Sequence, residues 1–152
     1  MELSELNQLK VLKIFKEGRR ASCVCLLTGD IVRKSYDSKL SKRQEWFKLE
    51  IKILKHLEHC PFVPKLLAVD KKNLTYYMTY CGQRPLMTPE NREKNSVAAK
   101  SLHRDWNLLR VDKNGDPQYK IYFGNCAMIK DKMFIIDFGS DKWKIVGPKH
   151  IL

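Results

Sequence analysis

An acidic residue that closes an apolar run is the first feature of this chain able to do chemistry. Met133-Phe134-Ile135-Ile136 reads as a buried strand, and it ends in Asp137-Phe138-Gly139. A carboxylate there, followed by an aromatic plug and a flexible glycine, can hold a hard cation such as Mg²⁺ beside phosphates. Twelve residues earlier, Asn125 ends a second apolar segment, Ile121-Tyr122-Phe123-Gly124, and offers a neutral oxygen ligand. Glu50 is the other charged group in a costly place. A helix is expected from about Lys42 to His56, opened by the capping-box pattern Ser41-x-x-Gln44. Trp46, Ile53, Leu54 and Leu57 form its apolar face, and Lys48, Lys52 and Lys55 the opposite one. Glu50 lies in the middle of the apolar face, where a carboxylate is unfavourable unless a cation meets it.

These residues carry a resemblance. Asp137-Phe138-Gly139 resembles the D-F-G of protein kinases, and Asn125 the Asn of their catalytic loop. In Ile31-Val32-Arg33-Lys34, strand alternation puts Val32 and Lys34 on one face and Arg33 on the other. That arrangement is similar to the kinase V-A-I-K strand, in which Val32 would back the adenine and Lys34 would reach the phosphates. Glu50-Ile51-Lys52-Ile53-Leu54-Lys55 resembles the kinase αC helix, whose Glu pairs with the strand Lys. The resemblance therefore implies a Lys34–Glu50 ion pair, a metal site at Asn125 and Asp137, and ATP with Mg²⁺ as cofactors. It also gives Met78 the gatekeeper place and has Thr79, Tyr80 and Cys81 offer backbone groups to adenine.

The elements that must position these groups follow from pattern. Leu9 to Val32 alternates apolar runs with polar turns, and Thr28-Gly29-Asp30 is a hairpin signal, so three successive antiparallel strands are expected. The first turn lies around Gly18. Kinases cover the phosphates with a Gly-rich hairpin; here Gly18 alone remains, and Arg19, Arg20, Ala21 and Ser22 fill the turn. Ala21 and Ser22 still permit close approach, and the two arginines can neutralise phosphate. The alternative is an ordinary solvated basic hairpin tip. Phe62 to Val69 reads as a strand and Leu74 to Tyr80 as its hairpin partner, with Cys81-Gly82 as the hinge out of the sheet. Thr88-Pro89 opens a helix to about Arg110, with an apolar line at Ala98, Leu102, Trp106 and Leu109.

The chain departs from the kinase pattern at the catalytic base. His103-Arg104-Asp105 spells H-R-D, but the residue five after Asp105 is Arg110, where the family requires Asn. The helical period also continues through it, so a surface ion pair is the default for Asp105. Alignment from Asn125 puts Lys120 where the base belongs. Asp116, in the turn-rich loop Val111 to Pro117, and Asp105 are the two candidates left. Thirteen residues follow Gly139, with no A-P-E segment. The expectation is a single α+β domain over 1–152: about 9–80 a kinase-like N-lobe of antiparallel sheet plus αC-type helix, and 81–152 a truncated second lobe. Compact kinase-like proteins of large DNA viruses resemble this plan.

Composition bounds the partners. With 152 residues, 43% hydrophobic and 30% charged, the chain can bury a core, and it contains no apolar run of the roughly 20 residues that span a bilayer. No secretory signal is visible, and five cysteines without framework spacing favour reduced thiols, so an intracellular, cytoplasmic setting is expected. His56, His59 and Cys60 lack a second ligand cluster at finger-like spacing; a histidine-rich helix terminus is the better account. The net charge of +12 attracts polyanions, so besides a nucleotide and a protein partner or substrate, nucleic acid is a possible partner. Function is read as an ATP/Mg-binding kinase-like phosphotransferase with reduced or atypical catalysis; the alternative is an inactive pseudokinase that modulates a partner.

Overall fold

The computed structural model describes residues 1–17, 23–36 and 41–147 of the chain. Gly18, Arg19, Arg20, Ala21 and Ser22, the expected phosphate loop, lie outside the described residues. The protein is α+β, and it divides into two compact units: Met1–Glu58 with Pro64–Tyr80, and His59–Val63 with Cys81–Leu152.

The first unit is built on a five-stranded antiparallel sheet in the order β1-β2-β3-β5-β4, with β1 Val11–Glu17, β2 Cys23–Leu27, β3 Ile31–Ser35, β4 Leu66–Asp70 and β5 Thr75–Thr79. Gly29 and Asp30 turn β2 into β3 with φ of 83° and 57°, a left-handed pair that Gly and Asp adopt at low cost. Asp70 closes the β4–β5 turn by accepting from Asn73 through both carboxylate oxygens. The strand expected from Phe62 begins only at Leu66; Pro64 has no N–H to give a ladder, and pairing starts after it.

Helix α1, Leu3–Leu6, was not expected from the sequence. Leu3, Leu6 and Leu9 pack with Cys25, Leu27, Ile31 and Tyr77 on one face of the sheet. Helix α2, Ser41–His56, buries Phe47, Glu50, Ile51, Ile53 and Leu54. The expected apolar face is corrected by one position: Phe47 is buried and Trp46 only half-buried. Phe47 lies three and four residues before Glu50 and Ile51, on their side of the helix, and its ring meets Tyr36 at 5.9 Å and Tyr76 at 6.4 Å.

The second unit is organised by α3, Pro89–Trp106. Its cap is as the sequence suggests: Thr88 Oγ1 accepts from Asn91 N–H at 3.1 Å, and Pro89 takes the first turn. The helix does not run to Arg110. Asn107 adopts φ 53° and ψ 37°, a left-handed cap, and Leu108–Arg110 continues as β6, paired with β9, Trp143–Ile145. Leu109 therefore leaves the helical line, while Ala98 and Leu102 are buried in it. Strands β7, Cys126–Ile129, and β8, Lys132–Ile135, form a hairpin. Ile121 to Gly124 is no strand: Phe123–Asn125 is a single 3₁₀ turn leading into β7. Among the described residues no helix is long and apolar enough to cross a membrane.

Candidate functional site

The β3 register brings Lys34 opposite Val24 on one side and Tyr76 on the other. Cross-strand partners share a face, and Tyr36, two residues on from Lys34, shares it as well. Helix α2 lies over this face, and its one buried carboxylate reaches it. Lys34 Nζ donates to Glu50 Oε1 at 2.9 Å and to Oε2 at 3.0 Å. Tyr36 Oη donates to Oε2 at 2.6 Å, and Tyr76 Oη donates to Oε1. Glu50 is 0% exposed, Tyr76 0% and Lys34 6%. The cation anticipated for Glu50 is thus Lys34, whose ammonium also stands 5.8 Å from the Tyr36 ring centroid. The two tyrosines were missed by sequence reasoning. The signal for Tyr36 was its place two residues after Lys34; for Tyr76 it needed the β3–β5 register. Burial, and then the Glu50 charge, raise the Tyr76 phenol well above its ordinary value, so it remains a donor.

Val32 sits in the same row as Leu26 and Met78, and both Val32 and Met78 are buried. At the end of β5 the Thr79 N–H donates to the Lys65 carbonyl at 3.0 Å, and Thr79 Oγ1 accepts from Lys65 N–H at 2.9 Å. Tyr80 N–H donates to the Asp30 carbonyl at 2.9 Å, and its ring stacks on Phe15 at 6.1 Å. Both amides are thereby committed to the sheet. Cys81 is buried at the start of the next unit. Gly82 after it is obligatory: its φ is 102°, and a Cβ would stand 2.0 Å from the Met128 carbonyl oxygen.

In the second unit Asn125 and Asp137 come from neighbouring segments. Ile136 N–H donates to the Asn125 carbonyl at 2.9 Å, which sets the 3₁₀ turn beside the residue preceding Asp137. Asn95, buried on α3, holds the segment that leads into that turn. Its Nδ2 donates to the Ile121 carbonyl at 2.8 Å, and its Oδ1 accepts from Ile121 N–H at 2.9 Å, as a paired strand would. Asn95 was not singled out in the sequence; a lone Asn on a helix face gives no signal until the partner segment is known. Asp137 is half-buried and turns Oδ1 toward Gly139 N–H at 3.2 Å. Phe138 is fully buried and meets Trp143 edge to face at 5.1 Å, which fixes the backbone immediately after Asp137. One carboxylate and one amide oxygen are hard donors of the kind Mg²⁺ takes alongside several waters. Among the described residues no group of three or more His, Cys, Asp or Glu side chains is placed to hold a metal.

The candidate bases are engaged in local contacts. Asp105 is exposed and ion-paired with Arg104, at 3.0 Å from Nε and 2.9 Å from Nη2, and accepts from Ser101 Oγ at 3.0 Å. The hydrogen bonds from Arg104 and Ser101 hold its carboxyl below the usual range. Asp116 is exposed in a closed loop, its amide donating to Asp112 Oδ1 at 3.0 Å and its carbonyl accepting from Asp112 N–H at 2.8 Å. Lys120 is exposed. No protein-family model matches the chain, and no curated protein sequence matches it either.

Proposed function

We propose that this chain is a kinase-like protein that binds ATP with Mg²⁺ and has reduced or atypical protein-kinase-type phosphotransferase activity. The observation that carries the reading is the buried Lys34–Glu50 pair, joined by an α2 carboxylate and a β3 ammonium on a five-stranded antiparallel sheet. Glu50 fixes the position of Lys34, and Lys34 orients the phosphates. Because Tyr36 and Tyr76 also donate to Glu50, the carboxylate does not depend on Lys34 alone, and the ammonium can be shared with a phosphate oxygen. Val32 and Met78 supply the apolar surface for the base. Asp137 and Asn125 hold the metal, which when bound neutralises charge on the phosphates. Phosphoryl transfer relies chiefly on positioning and charge neutralisation, so a weak base slows the reaction without ending it.

A second reading, a pseudokinase that binds and modulates a partner protein, is favoured by one observation: Asp105 is spent on a surface ion pair with Arg104. Phosphate transfer from radiolabelled ATP to a generic substrate or to the chain itself separates the two. Transfer that is lost in Lys34→Ala supports the enzyme; nucleotide binding without transfer supports the pseudokinase. Absence of ATP binding at millimolar nucleotide rejects the enzyme.

A further inference from the structure

Cys23 and Cys25 stand two residues apart on β2, and their Sγ atoms are 3.1 Å apart, close enough for one thiol to donate to the other. Cys25 is 1% exposed, and Arg33 Nη2, its cross-strand neighbour, lies 3.7 Å from its sulfur. Cys23 is half-buried, whereas Cys60, Cys81 and Cys126 are all buried. We propose that Cys23 and Cys25 are a redox-responsive dithiol, a modification site that closes to an intrastrand disulfide and displaces the strand segment facing Lys34.

Hydrogen peroxide is a sufficient oxidant. The Cys23 thiolate attacks one peroxide oxygen, the O–O bond breaks, and hydroxide leaves and takes up a proton to become water. Cys25 sulfur then attacks the Cys23 sulfenic sulfur; the S–O bond breaks, and the second water leaves with the proton Cys25 gives up. Two thiols are oxidised by two electrons in all, and one peroxide is reduced to two waters.

The register supplies the consequence. Cys23 faces Ser35, Val24 faces Lys34 and Cys25 faces Arg33. Residues two apart on a strand are about 6.6 Å apart at Cα, near the upper end of the ~4.4–6.8 Å that disulfides span. The two Cβ atoms must also approach to about 3.5–4.5 Å, so bond formation shortens β2 at Val24, directly across from Lys34. Regulation of nucleotide affinity by this step rests on the function proposed above; the disulfide and the strand displacement do not.

The test treats the full chain with a small excess of hydrogen peroxide and reads peptide masses and amide hydrogen exchange, beside Cys23→Ser and Cys25→Ala. Expected is a loss of about 2 Da, two hydrogens, in the peptide holding both cysteines, reversed by dithiothreitol. Exchange at Val24 and Lys34 then rises at least tenfold in the oxidised chain, and neither change occurs in whichever variant folds. Overoxidation of Cys23 alone, a disulfide between two chains, or an intrastrand bond without faster exchange at Lys34 overturns the proposal. These readouts need no nucleotide, so they fail or succeed independently of ATP binding.

Discussion

Tyr76 and Lys34 are direct cross-strand neighbours that converge on one carboxylate, the Tyr76 hydroxyl on Glu50 Oε1 and the Lys34 ammonium on both oxygens. A buried carboxylate with three donors is stable as a set and fragile by subtraction. Removing one member of a buried pair leaves an uncompensated charge, at a cost of about 3–5 kcal/mol. Lys34→Met is therefore expected to lower unfolding free energy by about 3 kcal/mol, softened by the two tyrosines. Lys34→Met with Glu50→Leu recovers most of the loss, measured as a double-mutant cycle in urea. Additive losses would contradict the pairing.

Tyr36→Phe and Tyr76→Phe each remove one hydrogen bond to a charged acceptor, about 1.5–3 kcal/mol. Neither empties space in the core, so both should fold, and urea midpoints read the difference. A loss below about 0.5 kcal/mol for both would mean that Lys34 alone compensates Glu50.

Alkaline pH should destabilise the protein in two steps. Burial pushes the Cys126 thiol up to about 12 from its ordinary 9.0, and burial with the Glu50 charge raises Tyr76 above 10.0. The folded chain keeps both protons where the unfolded chain releases them. Stability from Cys126 is thus complete below pH 9 and falls toward pH 12, by up to about 1.4 kcal/mol per pH unit. The Tyr76 contribution declines only above pH 10. Cys126→Ala should flatten the first decline and Tyr76→Phe the second, read from urea midpoints against pH; unchanged slopes would contradict these assignments.

Asn95→Ala removes both bonds that tie α3 to Ile121 and should cost about 2–3 kcal/mol. Because that segment leads into the Asn125 turn, the same variant should weaken Mg²⁺ dependence, measured at a fixed nucleotide concentration. Full stability with unchanged Mg²⁺ dependence would leave the turn held by something else.

The elements whose signals are local were readable in the sequence: the three strands to Ser35, α2, the Thr88–Pro89 cap and the Thr28–Asp30 turn. Glu50 was readable because a charge on an apolar face demands a partner. What was not readable depended on tertiary pairing. Strand β6 takes over from α3 because Asn107 turns left-handed and Leu108 to Arg110 finds Trp143 to Ile145; three residues carry no period of their own. Phe47 and Trp46 lie one position apart on a helix, and only the rings of Tyr36 and Tyr76 decide which is buried. Tyr36, Tyr76 and Asn95 act through residues 14 to 26 positions away, a relation that spacing alone does not reveal.

A thermal-shift titration with Mg-ATP tests the proposed nucleotide binding most directly. Ligand that binds only the folded chain stabilises it by about 2.7 kcal/mol at a hundredfold excess over Kd. Wild type should show a melting temperature that rises with Mg-ATP, and Asp137→Ala and Lys34→Ala, each folded before nucleotide is added, should show little or none. A flat wild-type titration to millimolar Mg-ATP, or a rise equal in all three proteins, would contradict it.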